Sequence, residues 1–289
     1  MTSKRTDGPL VQQTARSDDA RLAAALATGA GEILMALRAR ADTGAAPRDG
    51  FDLGRAGDLA SQAWLAAALA EQRPDDAVLS EEAEGGPARL AARRVWIIDP
   101  LDGTREFAEV NPDGTRRTDF AVHVALWEAE LGLTAGAVTL PARGRACDSA
   151  TVEPVRDDAA HDVLAGTRPL RVAVSRTRPP AVVGHLAHRP DVELVPMGST
   201  GVKVMAVVDG SVDAYVHAGG QYEWDSAAPV AVAHAARLYA TCLDGSPLVY
   251  NRPDPWSPDL LVCHPALVAR LRRLLAEGGS GDDAPGAPG

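Results

Sequence analysis

The run Val95-Trp96-Ile97-Ile98 ends abruptly in Asp99, and Asp102, Gly103 and Thr104 follow at once. Four consecutive apolar residues of these types read as a buried strand. A buried strand that ends in two carboxylates needs something to hold their charge. Two carboxylates about 4 Å apart repel by about 4 kcal/mol at an effective dielectric of about 20, and left alone one of them keeps a proton. A divalent cation removes the conflict. Carboxylates joined by a backbone carbonyl, here that of Leu101, make an oxygen-rich set suited to Mg²⁺. Gly103 and Thr104 add backbone N–H groups and a hydroxyl, groups that cradle a phosphate.

Around this strand the chain alternates between helical and extended patterns. Residues 1–16 are polar and read as a disordered tail. Helical spacing runs from Asp18 to Arg40, and a second helix is expected from Asp58 to Glu71, with Asp58 at its opening. Residues 77–86 read as a short strand running into an acidic, Gly-ended turn, and strands are expected at 95–99, 120–127 and 131–140. Residues 146–168 lack periodicity and read as a connecting segment between an N-terminal α+β part (17–145) and a C-terminal α/β part (169–276). In the second part, strands are expected at 170–174, 192–195 and 212–217. Helices are expected at 180–188, 200–209, 226–237 (with Asp225 as N-cap) and 266–276. Residues 277–289 read as a second disordered tail. The interleaving places the chain in the α/β (α+β) class.

Composition narrows the function. The net charge of −10 argues against a nucleic-acid partner, which needs a basic face, and means that an anionic substrate must be held by cations. No apolar run of transmembrane length is expected, and residues 1–20 are too polar for a signal peptide. Cys147, Cys242 and Cys263 form no CxxC pair and read as reduced thiols, the pattern of a cytoplasmic protein. Lys4 and Lys203 are the two lysines among 29 basic residues, the rest being Arg.

Three acidic features mark strand or helix ends: Glu81-Glu82, Asp99 to Asp102, and Glu223-Trp224-Asp225, with Asp58 as a fourth candidate. Glu81 and Glu82 read equally well as a solvated turn, Asp225 as a helix cap, and His123 as a packed strand residue. An aspartyl-phosphate mechanism is disfavoured. Phosphatases that use an Asp nucleophile carry D-x-D-x-T, whereas the acids here are three apart in D-x-x-D-G-T, an arrangement that favours metal-activated water.

The segments "SEE", "WIIDPLDGT" and "WDSAAPVAVAHAAR", in this order, resemble the inositol monophosphatase superfamily of Mg²⁺-dependent, lithium-sensitive phosphatases, over roughly residues 18–276. Within it, "LSEEA", "DPLDGTREF" and "DGSPLVYN" are most similar to the bacterial, actinobacterial-type 3′-phosphoadenosine 5′-phosphate phosphatases of sulfur assimilation. The resemblance implies a layered αβαβα sugar-phosphatase fold, a homodimer, a small phosphate-ester substrate and two or three Mg²⁺ ions. It also implies roles. Glu81, Asp99, Asp102, Asp225 and the Leu101 carbonyl would bind metal, Asp58 would orient a third metal and the attacking water, and Thr104 would help activate that water. Gly103 and Thr104 amides would hold the phosphate, with Glu82 outside the ligand set. Ser199, Thr200 and Lys203 would serve the nucleotide.

Two positions depart from the family pattern. Arg55 stands where a Thr is common, which bears on the third metal. His217 stands where nucleotide phosphatases often have an Arg, so His217, Arg176 or Arg178 would bind the 5′-phosphate. The alternatives are an inositol monophosphatase or fructose 1,6-bisphosphatase, or a non-catalytic metal- or nucleotide-binding regulatory protein.

Overall fold

A computed structural model describes residues 9–47, 50–83 and 86–278, with side chains from Ser17 to Glu277. The elements in chain order are α1 (Pro9–Asp42), α2 (Gly50–Gln72), β1 (Ala77–Ser80), β2 (Arg94–Asp102), α3 (Thr104–Ala108), β3 (Ala121–Glu128), β4 (Gly132–Leu140), β5 (Arg145–Asp148) and α4 (His161–Leu164), followed by β6 (Leu170–Ser175), β7 (Val192–Met197), α5 (Thr200–Val208), β8 (Ala214–Tyr222), α6 (Glu223–Ala235), β9 (Tyr239–Thr241), β10 (Trp256–Cys263) and α7 (Val268–Gly278). One sheet has the order β1-β2-β3-β4-β5 and the other β7-β6-β8-β10-β9.

Among the described residues, three buried apolar clusters hold five layers together, the central one lying on both faces of α5 and α6. Strand side chains alternate between faces, so the apolar run of β2 serves two of these cores. Trp96 and Ile98 pack with α1 and α2, beside Leu26, Leu34, Leu53 and Leu65. Val95 and Ile97 face the opposite way, toward α5 and α6 and the inner face of the second sheet. Val172, Val174, Val216 and Leu261 on that sheet's outer face pack with Leu271 and Leu274 of α7. The result is the αβαβα sandwich expected. A strand buried on both faces needs no polar alternation, which is why 95–98 reads as a continuous apolar run. The small residues of α6 let it lie close on β4: a Cβ on Gly136 would meet the Ala231 methyl at 2.5 Å.

Several boundaries differ from the expectation. α1 extends back to Pro9, into the stretch read as a tail, while the calls on residues 1–8 and 279–289 lie outside the described residues. Ser17–Asp42 is long and apolar enough to span a membrane by length and composition, at mean hydropathy 1.4, contrary to the reading of no such run. Its apolar stripe, however, including Ala23, Leu26, Ala27, Ala30 and Leu34, is buried in the outer core. Residues 181–188 form a 3-10 helix rather than an α-helix. The expected connecting segment contributes β5, which pairs antiparallel with β4 and extends the first sheet to Asp148.

Candidate active site

The site begins at a break in strand pairing. β2 and β3 are in register up to Asp99 opposite His123, then slip before Asp102 opposite Ala121. Pro100, which has no N–H for the ladder, sits in the irregularity, and its carbonyl accepts the buried Ser61 hydroxyl at 2.7 Å. Asp99 Oδ1 accepts the Leu101 N–H at 3.0 Å, a tight turn that brings the second acid back toward the first. Gly103 follows at φ +95°, where a Cβ would also crowd Phe120 at 3.2 Å. It opens the short α3, whose first N–H groups lack helical partners.

Asp225 comes from α6, which packs against β2, β3 and β4. It occupies the third position of α6 rather than the expected N-cap, and its Oδ2 accepts the Tyr222 N–H at 2.7 Å. Asp99, Asp102 and Asp225 each place a carboxylate oxygen within 4.8 Å of the others. Burial and the neighbouring Glu81, Asp102 and Asp225 push the Asp99 carboxyl well above the ordinary range. Burial and Asp102 raise Asp225 to about 6. Glu81, at the rim, is raised to about 8 by loss of solvent, then by Asp225, Asp58, Glu82 and Asp102. Such a set resists full ionisation, and a bound cation reverses that preference. The donors are all oxygen, which fits Mg²⁺.

Asp102 is the exception. Burial pushes its carboxyl up, but His123, Lys203 and Ser199 outweigh this and hold it below its usual value. Its Oδ2 accepts the Ser199 hydroxyl at 2.5 Å and the Gly201 N–H at 2.8 Å. His123, fully buried, places Nε2 3.2 Å from that oxygen, with Nδ1 donating to the Trp224 carbonyl at 3.2 Å. The sequence reading of His123 as a packed strand residue missed this tie between β3, the acid cluster and the start of α6.

Asp58 lies in the middle of α2, not at its opening, because the helix starts eight residues earlier at Gly50. Burial and Glu82 raise its carboxyl to about 7. The Thr104 hydroxyl stands 3.3 Å from Asp58 Oδ1 and 3.2 Å from the Leu101 carbonyl. Arg55 lines a neighbouring hollow with Phe51, Asp58, Thr104 and Arg105.

The acids form the foot of a cleft of about 650 Å³ that also includes Ser199, Thr200, Lys203 and His217. Lys203 is buried, donates to the Ser199 carbonyl at 2.7 Å and lies 5.1 Å from the centre of the Tyr215 ring. Burial lowers its ammonium to about 8. His217 faces the cleft and hydrogen-bonds the Gly220 carbonyl at 2.9 Å. The structure does not bring Arg176 into this set. Its guanidinium pairs with Glu106 at 3.1 Å and with Asp119, and those carboxylates hold it away from the cleft. Arg178, two residues on, lines the cleft instead.

Residues 16–276 match the model of the inositol monophosphatase family. The chain is 47% identical over 274 residues to a 3′-phosphoadenosine 5′-phosphate phosphatase from Mycobacterium leprae (strain TN), covering 90% of this chain and 94% of that one. It is 48% identical over 256 residues to the protein of the same name from Mycobacterium tuberculosis (strain CDC 1551 / Oshkosh), covering 86% and 90%. Inositol monophosphatase II from Staphylococcus aureus MSSA476 superposes with a TM-score of 0.70 at 18% identity, covering 90% of this chain and 96% of the other; this likeness concerns the fold.

Proposed function

This chain belongs to the inositol monophosphatase family, and from that premise we propose that it is a Mg²⁺-dependent phosphatase that removes the 3′-phosphate of 3′-phosphoadenosine 5′-phosphate to give AMP. The observation that carries the reading is one cleft lined both by three carboxylates within 4.8 Å of one another and by the cationic side chains of Lys203 and Arg178, with His217. A substrate with two phosphates matches both. The relatives named for this activity, at 47% and 48% identity over most of both chains, support it further.

Asp99, Asp102 and Asp225, with Glu81 and the Leu101 carbonyl, would hold two or three ions. When bound, Mg²⁺ neutralises phosphoryl oxygens, lowers the pKa of a water and stabilises the leaving oxygen. The chain's own residues do the rest. Asp58, 3.3 Å from the Thr104 hydroxyl, would with it orient and activate the attacking water. The N–H groups of Gly103 and Thr104 would bind the phosphate to be cleaved. Lys203 supplies a point charge for the second phosphate, with Arg178 and His217 beside it and Ser199 and Thr200 shaping the floor. The reading includes a homodimeric cytoplasmic enzyme, supported by the family resemblance and by three free cysteines.

The test is phosphate release with Mg²⁺ from 3′-phosphoadenosine 5′-phosphate, inositol 1-phosphate and fructose 1,6-bisphosphate side by side. A kcat/KM about 100-fold higher for the nucleotide, roughly 3 kcal/mol of selective transition-state binding, is expected. Equal values would replace the proposal with a general sugar-phosphate enzyme.

A further inference from the structure

Ser199 holds a φ of 52° beside a metal-site acid, and a residue with a side chain keeps such a conformation only where its surroundings impose it. The turn it belongs to serves the cleft in several ways. The Ser199 hydroxyl and the Gly201 N–H both donate to Asp102 Oδ2, and the Ser199 carbonyl accepts from Lys203. What imposes the turn lies one residue earlier, at Gly198, between β7 and α5.

Two acids bear on Gly198. Asp119 Oδ2 accepts its N–H at 2.8 Å. A Cβ on Gly198 would meet the Glu106 carboxyl carbon at 2.5 Å, so this carboxylate rests directly on bare backbone. Arg176 joins the two acids, with one guanidinium nitrogen donating to Glu106 Oε1 at 3.1 Å and another donating to Asp119. Arg117 adds Nε at 3.0 Å from Asp119 Oδ1 and Nη2 at 3.1 Å from Oδ2. Asp119 and Glu106 are each only 6% exposed, and carboxylates so buried need these cations. Asp119 stands just before β3 of the first sheet, and Arg176 just after β6 of the second, so the cluster crosses between the sheets. The backbone of Asp119 also borders the other turn of the site: a Cβ on Gly103 would lie 3.3 Å from the Asp119 carbonyl oxygen.

A cluster that merely joined the two sheets would have no use for the Gly198 N–H or for a strained serine after it. We infer that Asp119 and Arg176 are positioning residues for the metal site: they hold the Gly198–Ser199 turn, through which Ser199 and Gly201 fix one oxygen of Asp102 and leave the other to the cation. Neither residue lines the cleft, so both act through the turn. Partners that orient a ligating carboxylate in this way typically change metal affinity by about ten- to a hundredfold. This inference rests on the reading of the acid cluster as a Mg²⁺ site.

The experiment measures Mg²⁺ binding to the full chain by calorimetry. Asp119→Ala is expected to weaken Mg²⁺ binding roughly tenfold or more. Asp119→Asn, whose amide oxygen still accepts the Gly198 N–H, is expected to stay within about threefold of wild type. Arg176→Met leaves Asp119 paired with Arg117, and this milder variant is expected to weaken Mg²⁺ binding about fivefold or more. The control is Asp19→Ala, which breaks buried ion pairs to Arg73 and to Arg94 at the opposite end of β2. It lowers stability, and its Mg²⁺ affinity is expected to match that of wild type. Asp119→Ala and Arg176→Met that both bind Mg²⁺ as wild type does, Asp119→Asn as weak as Asp119→Ala, or an equal loss in Asp19→Ala would each overturn the inference and leave the metal site standing. A wild-type protein that binds no Mg²⁺ would overturn the metal reading itself, and the positioning role with it.

Discussion

The Ser199 hydroxyl donates to Asp102 Oδ2 across 2.5 Å, joining the end of β2 in the first sheet to the start of α5 beside the second. Ser199 sits at φ 52°, a strained value for a residue with a side chain. Its hydroxyl also accepts the Val202 N–H at 3.1 Å, so one side chain both caps α5 and fixes a metal-site acid. With Oδ2 committed to Ser199 and Gly201, the other Asp102 oxygen is left for a cation.

Asp102→Asn therefore removes the charge but leaves an acceptor for these donors. We expect kcat/KM to fall by at least about 100-fold, with far-UV circular dichroism unchanged. Activity near that of wild type would remove Asp102 from the metal site.

The acid cluster also sets a pH dependence. Asp58, Asp225 and Glu81 titrate at about 7, 6 and 8 in the fold, against 3.8 to 4.5 ordinarily. Without divalent ions, the folded state keeps protons that the unfolded chain has lost, so stability falls as pH rises between about 4 and 8. Mg²⁺ should therefore raise the melting temperature more at pH 8 than at pH 5, and its binding at pH 7 should release protons. Thermal scans at both pH values and calorimetry in two buffers check this. An equal Mg²⁺ effect at both pH values would count against the cluster as the binding site.

The acids of the turn were legible because they are close in sequence: an apolar run that ends in D-x-x-D-G-T states its own electrostatic problem. Asp225 was legible only through a motif, since it comes from a helix more than a hundred residues away. Local spacing could not place Asp58, because "GFDLGRAGD" extends the helical pattern past the glycines where the reading stopped it. Arg176 and Arg178 look alike in sequence. Only packing shows that Glu106 and Asp119 capture the first, and the buried pairs that do so are themselves far apart in the chain. β9 and β10 were not read as strands.

Lys203 gives a second pH effect. Burial lowers its pKa to about 8, so it is charged at neutral pH and loses that charge as pH rises through about 8. The kcat/KM for a bisphosphate substrate should decline above that pH, and Lys203→Met should abolish this limb while raising KM by roughly tenfold or more. A pH–rate profile for the variant that still declines near pH 8 would assign the effect elsewhere.

Glu223 tests the frame behind the site. It is fully buried, and its carboxylate accepts the N–H groups of Asn251 at 2.6 Å and Arg252 at 2.9 Å. Asn251 in turn accepts from Arg89 at 2.6 Å. Glu223→Ala leaves buried donors unpaired and should cost about 3–5 kcal/mol, read as a lower denaturation midpoint in urea. A loss under about 1 kcal/mol would mean that this network does not hold α6, and with it Asp225, in place.

The central claim is metal-dependent cleavage at the 3′ position, and the most direct measurement follows 3′-phosphoadenosine 5′-phosphate by phosphorus NMR with Mg²⁺ and after chelation. The account predicts AMP and inorganic phosphate with Mg²⁺, and unchanged substrate with the chelator. Adenosine 3′-phosphate as the product, or phosphate release that survives chelation, would contradict it.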